Sequence, residues 1–173
     1  MNSIFRRTLH GALGGAIAAA CMTAVRMLAH RANLIDQMVP QAVEAWVKHR
    51  LPLHTPALLP SQRAVHHLAD QALHLGYGST AGAIYGLTLS KGELSAQKVV
   101  GYGLAVWVFG SFVLLPGLKI MRPEWRAKPA EIAVNLATHL LYAGVLALLS
   151  DELEKQAFLQ PLQYPASLIA KTG

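Results

Sequence analysis

Apolar residues run through this chain in long windows rather than in short alternating segments. Windows at 9–29, 64–89, 97–116 and 130–150 each approach the ~20 residues an α-helix needs to cross a bilayer. The first carries one charge, Arg26, near its end, and the second is polar in its first half. The third is apolar throughout, and the fourth follows Pro129 and contains Asn135 and His139. A membrane barrel would instead show alternating strands of ~10 residues, and none is visible. The pattern predicts an all-α integral membrane bundle of four transmembrane helices, one domain over 1–155, followed by a polar tail over 156–173.

The connections are unequal. Segment 30–63 is too long for a turn, and Ile35, Val39, Val43 and Val47 recur within it at i,i+4 beside Trp46. Asp36, Glu44, Lys48 and Arg50 are interspersed, and Pro40 interrupts the run. That pattern suits an amphipathic segment lying at headgroup level. Pro52, Pro56 and Pro60 then delay the second helix, for which Ser61 is the expected N-cap. The second connection is short. The third is basic, with Lys119, Arg122, Arg126 and Lys128, and Pro116-Gly117 is the expected end of the third helix.

Composition sharpens the membrane reading. Charged residues make up 14% of the 173, against ~25% in a soluble domain, and the mean hydropathy is +0.35. Low charge and 53% hydrophobic residues exclude disorder and argue against a soluble enzyme. A single cysteine, Cys21, excludes an internal disulfide and a cysteine-built zinc site. Arg6 and Arg7 before the first helix, and Ala18-Ala19-Ala20-Cys21 within it, faintly resemble a lipoprotein signal. The apolar core exceeds the ~7–15 residues of a signal peptide, and Ala18 stands where a larger aliphatic residue belongs. An uncleaved helix with a packing-sized cysteine is expected. The pI of about 9.7 suits anionic headgroups. Nucleic acid is excluded as a partner, because the basic residues are scattered among loops on both sides of the membrane. The lipid bilayer is the expected partner.

Small residues mark the helix contacts. Gly11 and Gly15 form a GxxxG pair extended by Ala19, and Gly78, Gly82 and Gly86 continue the stripe begun by His66, Asp70 and His74. In the fourth helix Glu131, Asn135, His139 and Ala143 keep the same spacing, so the second and fourth helices suggest a weak parallel repeat. The two run in the same direction, and their polar halves occupy one leaflet. An ionisable group at the bilayer centre costs at least ~2.5–3.5 kcal/mol, which predicts a cluster of His66, Asp70, His74, Glu131, Asn135 and His139 turned inward.

Three readings of the cluster stand side by side. It is helix-packing glue; or a proton or ion relay, since histidine titrates near neutrality; or a metal site built from Asp70, His74 and His139. His66 and His74 lie about 12 Å apart along the axis and cannot share one ion. No nucleotide loop, serine elbow or His-Glu-x-x-His pair occurs. No cofactor is expected beyond that metal candidate, and nothing supports soluble-type catalysis.

The basic start, the run His74-Leu75-Gly76-Tyr77-Gly78, the third helix with Gly103, Trp107 and Pro116-Gly117-Leu118, and the run His139-Leu140-Leu141-Tyr142 together resemble the YagU-like bacterial inner-membrane proteins. The resemblance covers most of 66–153. It implies an inner-membrane, N-in and C-in protein without an established reaction, linked to acid stress. The loop charges point the other way: Arg26, Arg31, Lys48, Arg50, Arg63 and the basic third connection outnumber the lysines and arginines on the N-terminal side. The leading reading is a membrane protein with a proton- or ion-linked polar site. The alternative is an assembly protein packing through its glycine stripes, as a homo-oligomer or against another membrane subunit. A metal-dependent membrane enzyme is the third.

Overall fold

The computed structural model describes residues 2–36, 42, 45, 46, 49, 60–90 and 92–159, with side chains for all of these except 60–70, 73, 158 and 159. Four long helices dominate: α1 (Ser3–Arg31), α2 (Pro60–Thr88), α3 (Ala96–Gly117) and α4 (Pro129–Leu159). Three of them, α1, α3 and α4 as far as Ala157, are long and apolar enough to cross a membrane. The second window, expected as an equal span, is long enough but outside that group, because polar residues and glycines dilute its hydropathy.

Local chemistry sets the ends. Asn2 caps α1, its side chain accepting from the Ile4 N–H at 3.1 Å. Asn33 then adopts a left-handed φ of 57°, and the Leu34 N–H closes back on the Ala29 carbonyl, which stops the helix. Helix α2 begins at Pro60, whose missing N–H suits a first turn. Ser61 therefore sits inside the helix rather than capping it. Ser95 caps α3 by accepting from the Lys98 N–H. Helix α4 continues to Leu159, past the expected end at 150, and so absorbs the start of the polar tail. The remainder of that tail, 160–173, lies outside the described residues.

Helix α3 is not regular to its end. Residues Phe109–Leu114 widen into a π turn, with the Leu115 N–H bonding the Gly110 carbonyl. Pro116 supplies the cause, since it has no N–H for the Phe112 carbonyl and its ring crowds that oxygen. Lys119, at φ 58°, ends the helix, and Glu124–Arg126 form one 3-10 turn before α4.

The helices pack up-down-up-down. Gly11 faces Gly82 and Gly86, and Gly15 faces Gly78 and Gly82, so α1 and α2 run antiparallel with backbones touching. A Cβ on Gly15 would come within 2.8 Å of the Gly82 Cα, and one on Gly82 within 2.7 Å of the Gly15 Cα. The stripes expected to mark helix contacts thus meet each other within the chain. Gly14 faces Leu146 and Ser150 of α4, while Gly103 of α3 faces the His139 carbonyl and Ala143. Ala18, Ala19, Met22, Ala81, Tyr85, Tyr142, Leu146 and Ala147 form the core. Outward lie Leu13, Ile17, Ile84, Leu87, Val100, Leu104, Leu141 and Leu148, an apolar surface suited to lipid. Cys21, expected to pack, is also exposed. Within segment 30–63, Ile35 is buried, and Ala42, Ala45, Trp46 and His49 are helical; Val39, Pro40, Val43 and Val47, which carried the amphipathic pattern, lie outside the described residues.

Candidate functional site

The α1–α2 seam closes tightly around Gly11–Ala19. Further along the same face of α1 the residues become Met22, Thr23 and Arg26, and the helices line a cleft of about 1000 Å³. Its walls come from the C-terminal half of α1, from α2 at His74 and Tyr77, from the π turn and following loop, and from the first turns of α4. Asn135 is its hub. Arg26 donates from Nη1 to Asn135 Oδ1 at 2.7 Å, and Asn135 Nδ2 donates to Ser111 Oγ and to both Glu124 carboxylate oxygens, each at 2.9 Å. Arg26 is only 7% exposed. A charge in that position requires a partner, and Glu124 and Glu131 are the carboxylates whose fields act on it.

Two imidazoles complete the wall. His139 Nδ1 lies 2.8 Å from the Asn135 carbonyl oxygen, one turn back in α4, so that nitrogen carries the proton. Thr138 Oγ1 donates to the same carbonyl at 2.9 Å. The His74 ring bonds the Ala19 backbone, and its Nε2 is buried with no hydrogen-bond partner. An imidazole that donates from Nδ1 presents Nε2 as a bare base, so this cleft holds two weak bases beside an arginine–amide–carboxylate chain.

The rim is tied down by a separate clasp. Glu131 accepts from the backbone N–H of Asp36 at 3.0 Å and of Lys128 at 3.2 Å, and Lys128 Nζ lies 2.6 Å from Asp36. The Asp36 carboxylate, hydrogen-bonded to it, holds the Lys128 ammonium above its ordinary value of 10.5. His30 adds a contact to the Ile35 carbonyl at 2.9 Å.

Of the residues expected in one cluster, the structure brings His74, Asn135 and His139 to the cleft and puts Glu131 on its rim clasp. The side chains of His66 and Asp70 lie outside the described residues. Arg26, Ser111 and Glu124 were missed. Arg26 had a readable signal, being a lone cation inside an apolar span, a position that marks function by default. Glu124 had none, since it reads as one acid in a basic loop. The expected pairing of α2 with α4 is narrower than the pattern implied, because α2 lies mainly on α1. The contact between them includes Tyr142 Oη donating to the Gly78 carbonyl at 2.6 Å. Among the described residues no group of three or more His, Cys, Asp and Glu is arranged to hold a metal ion, and the Arg26 guanidinium beside His74 and His139 disfavours another cation.

At the opposite end of the bundle Glu154 takes Arg6 Nη2 at 3.0 Å and His10 Nδ1 at 2.9 Å, joining the start of α1 to the end of α4. No protein-family model, curated protein or solved structure matches this chain.

Proposed function

We propose that this chain is a four-pass bacterial inner-membrane protein whose intrabundle cleft is a proton-linked, acid-responsive site. The observation that carries the reading is the chain Arg26–Asn135–Glu124 beside the His139 and His74 rings. While Glu124 is ionised, both of its oxygens accept from Asn135 Nδ2. Protonating Glu124 removes one acceptor and leaves Arg26 short of negative charge, so the chain must rearrange. Protonating His139 or His74 adds a second cation beside Arg26 and drives the same change. Glu131 and Asp36 on the rim are the other carboxylates facing the cleft.

Helix α2 is the proposed fourth span. It is as long as α1, runs along it in close contact, and exposes Ile84 and Leu87 outward. Its polar half then shares a leaflet with the start of α4, whichever way the protein sits. Kinship with YagU-like proteins is likewise a proposal, supported by the basic start and the runs in the second, third and fourth helices. The assembly reading loses its main support, because Gly11, Gly15, Gly78, Gly82 and Gly86 already contact one another or their neighbours within the chain.

Trp125 offers the test. It follows Glu124 directly and stacks on Phe112 at 5.8 Å, so rearrangement at Glu124 changes its surroundings. In nanodiscs, with Trp46 and Trp107 replaced by Phe, Trp125 emission is expected to shift sigmoidally as the pH falls from about 8 to 4. Glu124→Gln abolishes or displaces the shift. A flat profile in the parent protein, with its helix content intact, overturns the reading.

A further inference from the structure

The mouth of the cleft has a charge pattern that the proton-linked reading does not use. Among the described residues its lining holds five basic side chains, Arg26, Lys119, Arg122, Arg126 and Lys128, against three acidic ones, Asp36, Glu124 and Glu131. The acids are already engaged. Asp36 takes Lys128, Glu131 takes two backbone N–H groups, and Glu124 takes Asn135. Lys119, Arg122 and Arg126 are exposed, with no ion pair among the described residues. Three cations without an ion pair among the described residues therefore stand at the cleft, apart from Arg26, which is bonded to Asn135 on its inner wall.

The cavity also has an apolar side. Met22, Tyr77, Leu114, Leu118, Ile120 and Met121 line it with those cations. Leu118 is 44% exposed, and Trp125, in the loop that follows, is 63% exposed. An exposed tryptophan beside basic residues at the end of an apolar helix marks the headgroup level of a bilayer. The cations thus stand where lipid phosphates lie, and the apolar wall begins where acyl chains begin. A free anion would use only the first feature.

We infer that this cleft binds an anionic phospholipid, its phosphate held by Lys119, Arg122 and Arg126 and an acyl chain laid along the Met22–Leu114–Leu118 wall. Basic pockets between helices at the interface are suited to such headgroups, and each Lys or Arg near the surface is worth about a fivefold gain in affinity. The inference stands apart from proton linkage, because none of the three cations belongs to the Arg26–Asn135–Glu124 chain.

The test is native mass spectrometry of the detergent-purified full chain, titrated with phosphatidylglycerol or with phosphatidylcholine of the same acyl chains. Phosphatidylglycerol is expected to remain bound preferentially. Lys119→Gln/Arg122→Gln/Arg126→Gln should reduce that preference by about a hundredfold. These side chains are exposed and unpaired, so the variant is expected to fold, which its circular dichroism checks. Glycerophosphoglycerol, the headgroup without tails, should not displace the lipid at equal concentration. Equal retention of the two lipids, or an unchanged preference in the triple variant, overturns the inference. Displacement by the tailless headgroup or by inorganic phosphate also overturns it, in favour of a small-anion site.

Discussion

The two halves of α1 present the same face of one helix and build opposite environments. Toward the N-terminus that face carries Gly11, Gly14, Gly15, Ala18 and Ala19, and at Gly11 and Gly15 the backbone of α2 lies against it with no room for a Cβ. Toward the C-terminus it carries Met22, Thr23 and Arg26, and there the bundle holds a cleft of about 1000 Å³. Side-chain volume makes the difference. Without a solvent-driven hydrophobic term between helices in lipid, close backbone approach and dispersion contact hold them together, which small residues permit. A buried guanidinium demands acceptors, and Ser111, Glu124 and Asn135 can reach it or one another only if the helices leave space. The seam brings two backbones into contact, and the other half leaves room for a linked set of polar side chains.

The comparison breaks most completely at the seam. Gly82→Leu would drive a side chain into the α1 backbone, and overpacking of this kind typically costs about 1–3 kcal/mol or more. It is expected to abolish the cooperative thermal transition in detergent. Gly76→Leu, where a Cβ meets nothing within 4 Å, should leave the transition in place. Equal behaviour of the two variants would disprove the seam.

At the polar end, Arg26→Met removes the cation that the Asn135 amide links to the half-buried Glu124, and the loss is expected to stay below the about 3–5 kcal/mol of a directly paired, fully buried ion pair. The double variant Arg26→Met/Glu124→Gln should recover most of that loss. A double variant as unstable as the two single losses summed would show that the residues do not act as one unit.

Smaller effects sharpen the boundary between the halves. Tyr142→Phe removes the hydrogen bond to the Gly78 carbonyl, the contact at 2.6 Å that ties α4 across to the seam. A loss of about 0.6–2 kcal/mol is expected, measured by denaturant titration in mixed micelles. No change would mean that the seam holds its position without α4.

The smallest effect is at the rim. Because Asp36 raises the Lys128 value above 10.5, the clasp is fully present below that pH and is lost as the pH rises through the raised value. Thermal midpoints of the wild type and Asp36→Asn, followed from about pH 9 to 12, should differ at the lower end and converge at the upper. A gap that persists throughout would assign the Asp36 effect to something other than Lys128.

How much of this could be read in advance varies by residue. Asn135, His139 and His74 were legible, since a polar group in an apolar helix must turn inward whatever the tertiary arrangement. Arg26 was legible as an anomaly but not as a centre, because nothing in the first window names its partner. Ser111 sat beside Gly110 in a helix that reads as featureless, and the π turn that shifts its face comes from Pro116, five residues later. Glu124 gains its role only because the loop after α3 folds back over the cleft.

The sequence by itself determined that this is a chain of long apolar helices with small-residue stripes and a few inward polar groups; it read four of them as spans, and three are long and apolar enough to cross a bilayer. Helical periodicity and transfer free energy are local properties, written in composition and spacing. Only the tertiary structure decided that the glycine stripes of α1 and α2 close on each other, and that Arg26 and Glu124, 98 positions apart, meet through one amide. Spacing says which face a residue occupies. Which two faces meet depends on how all the helices close together.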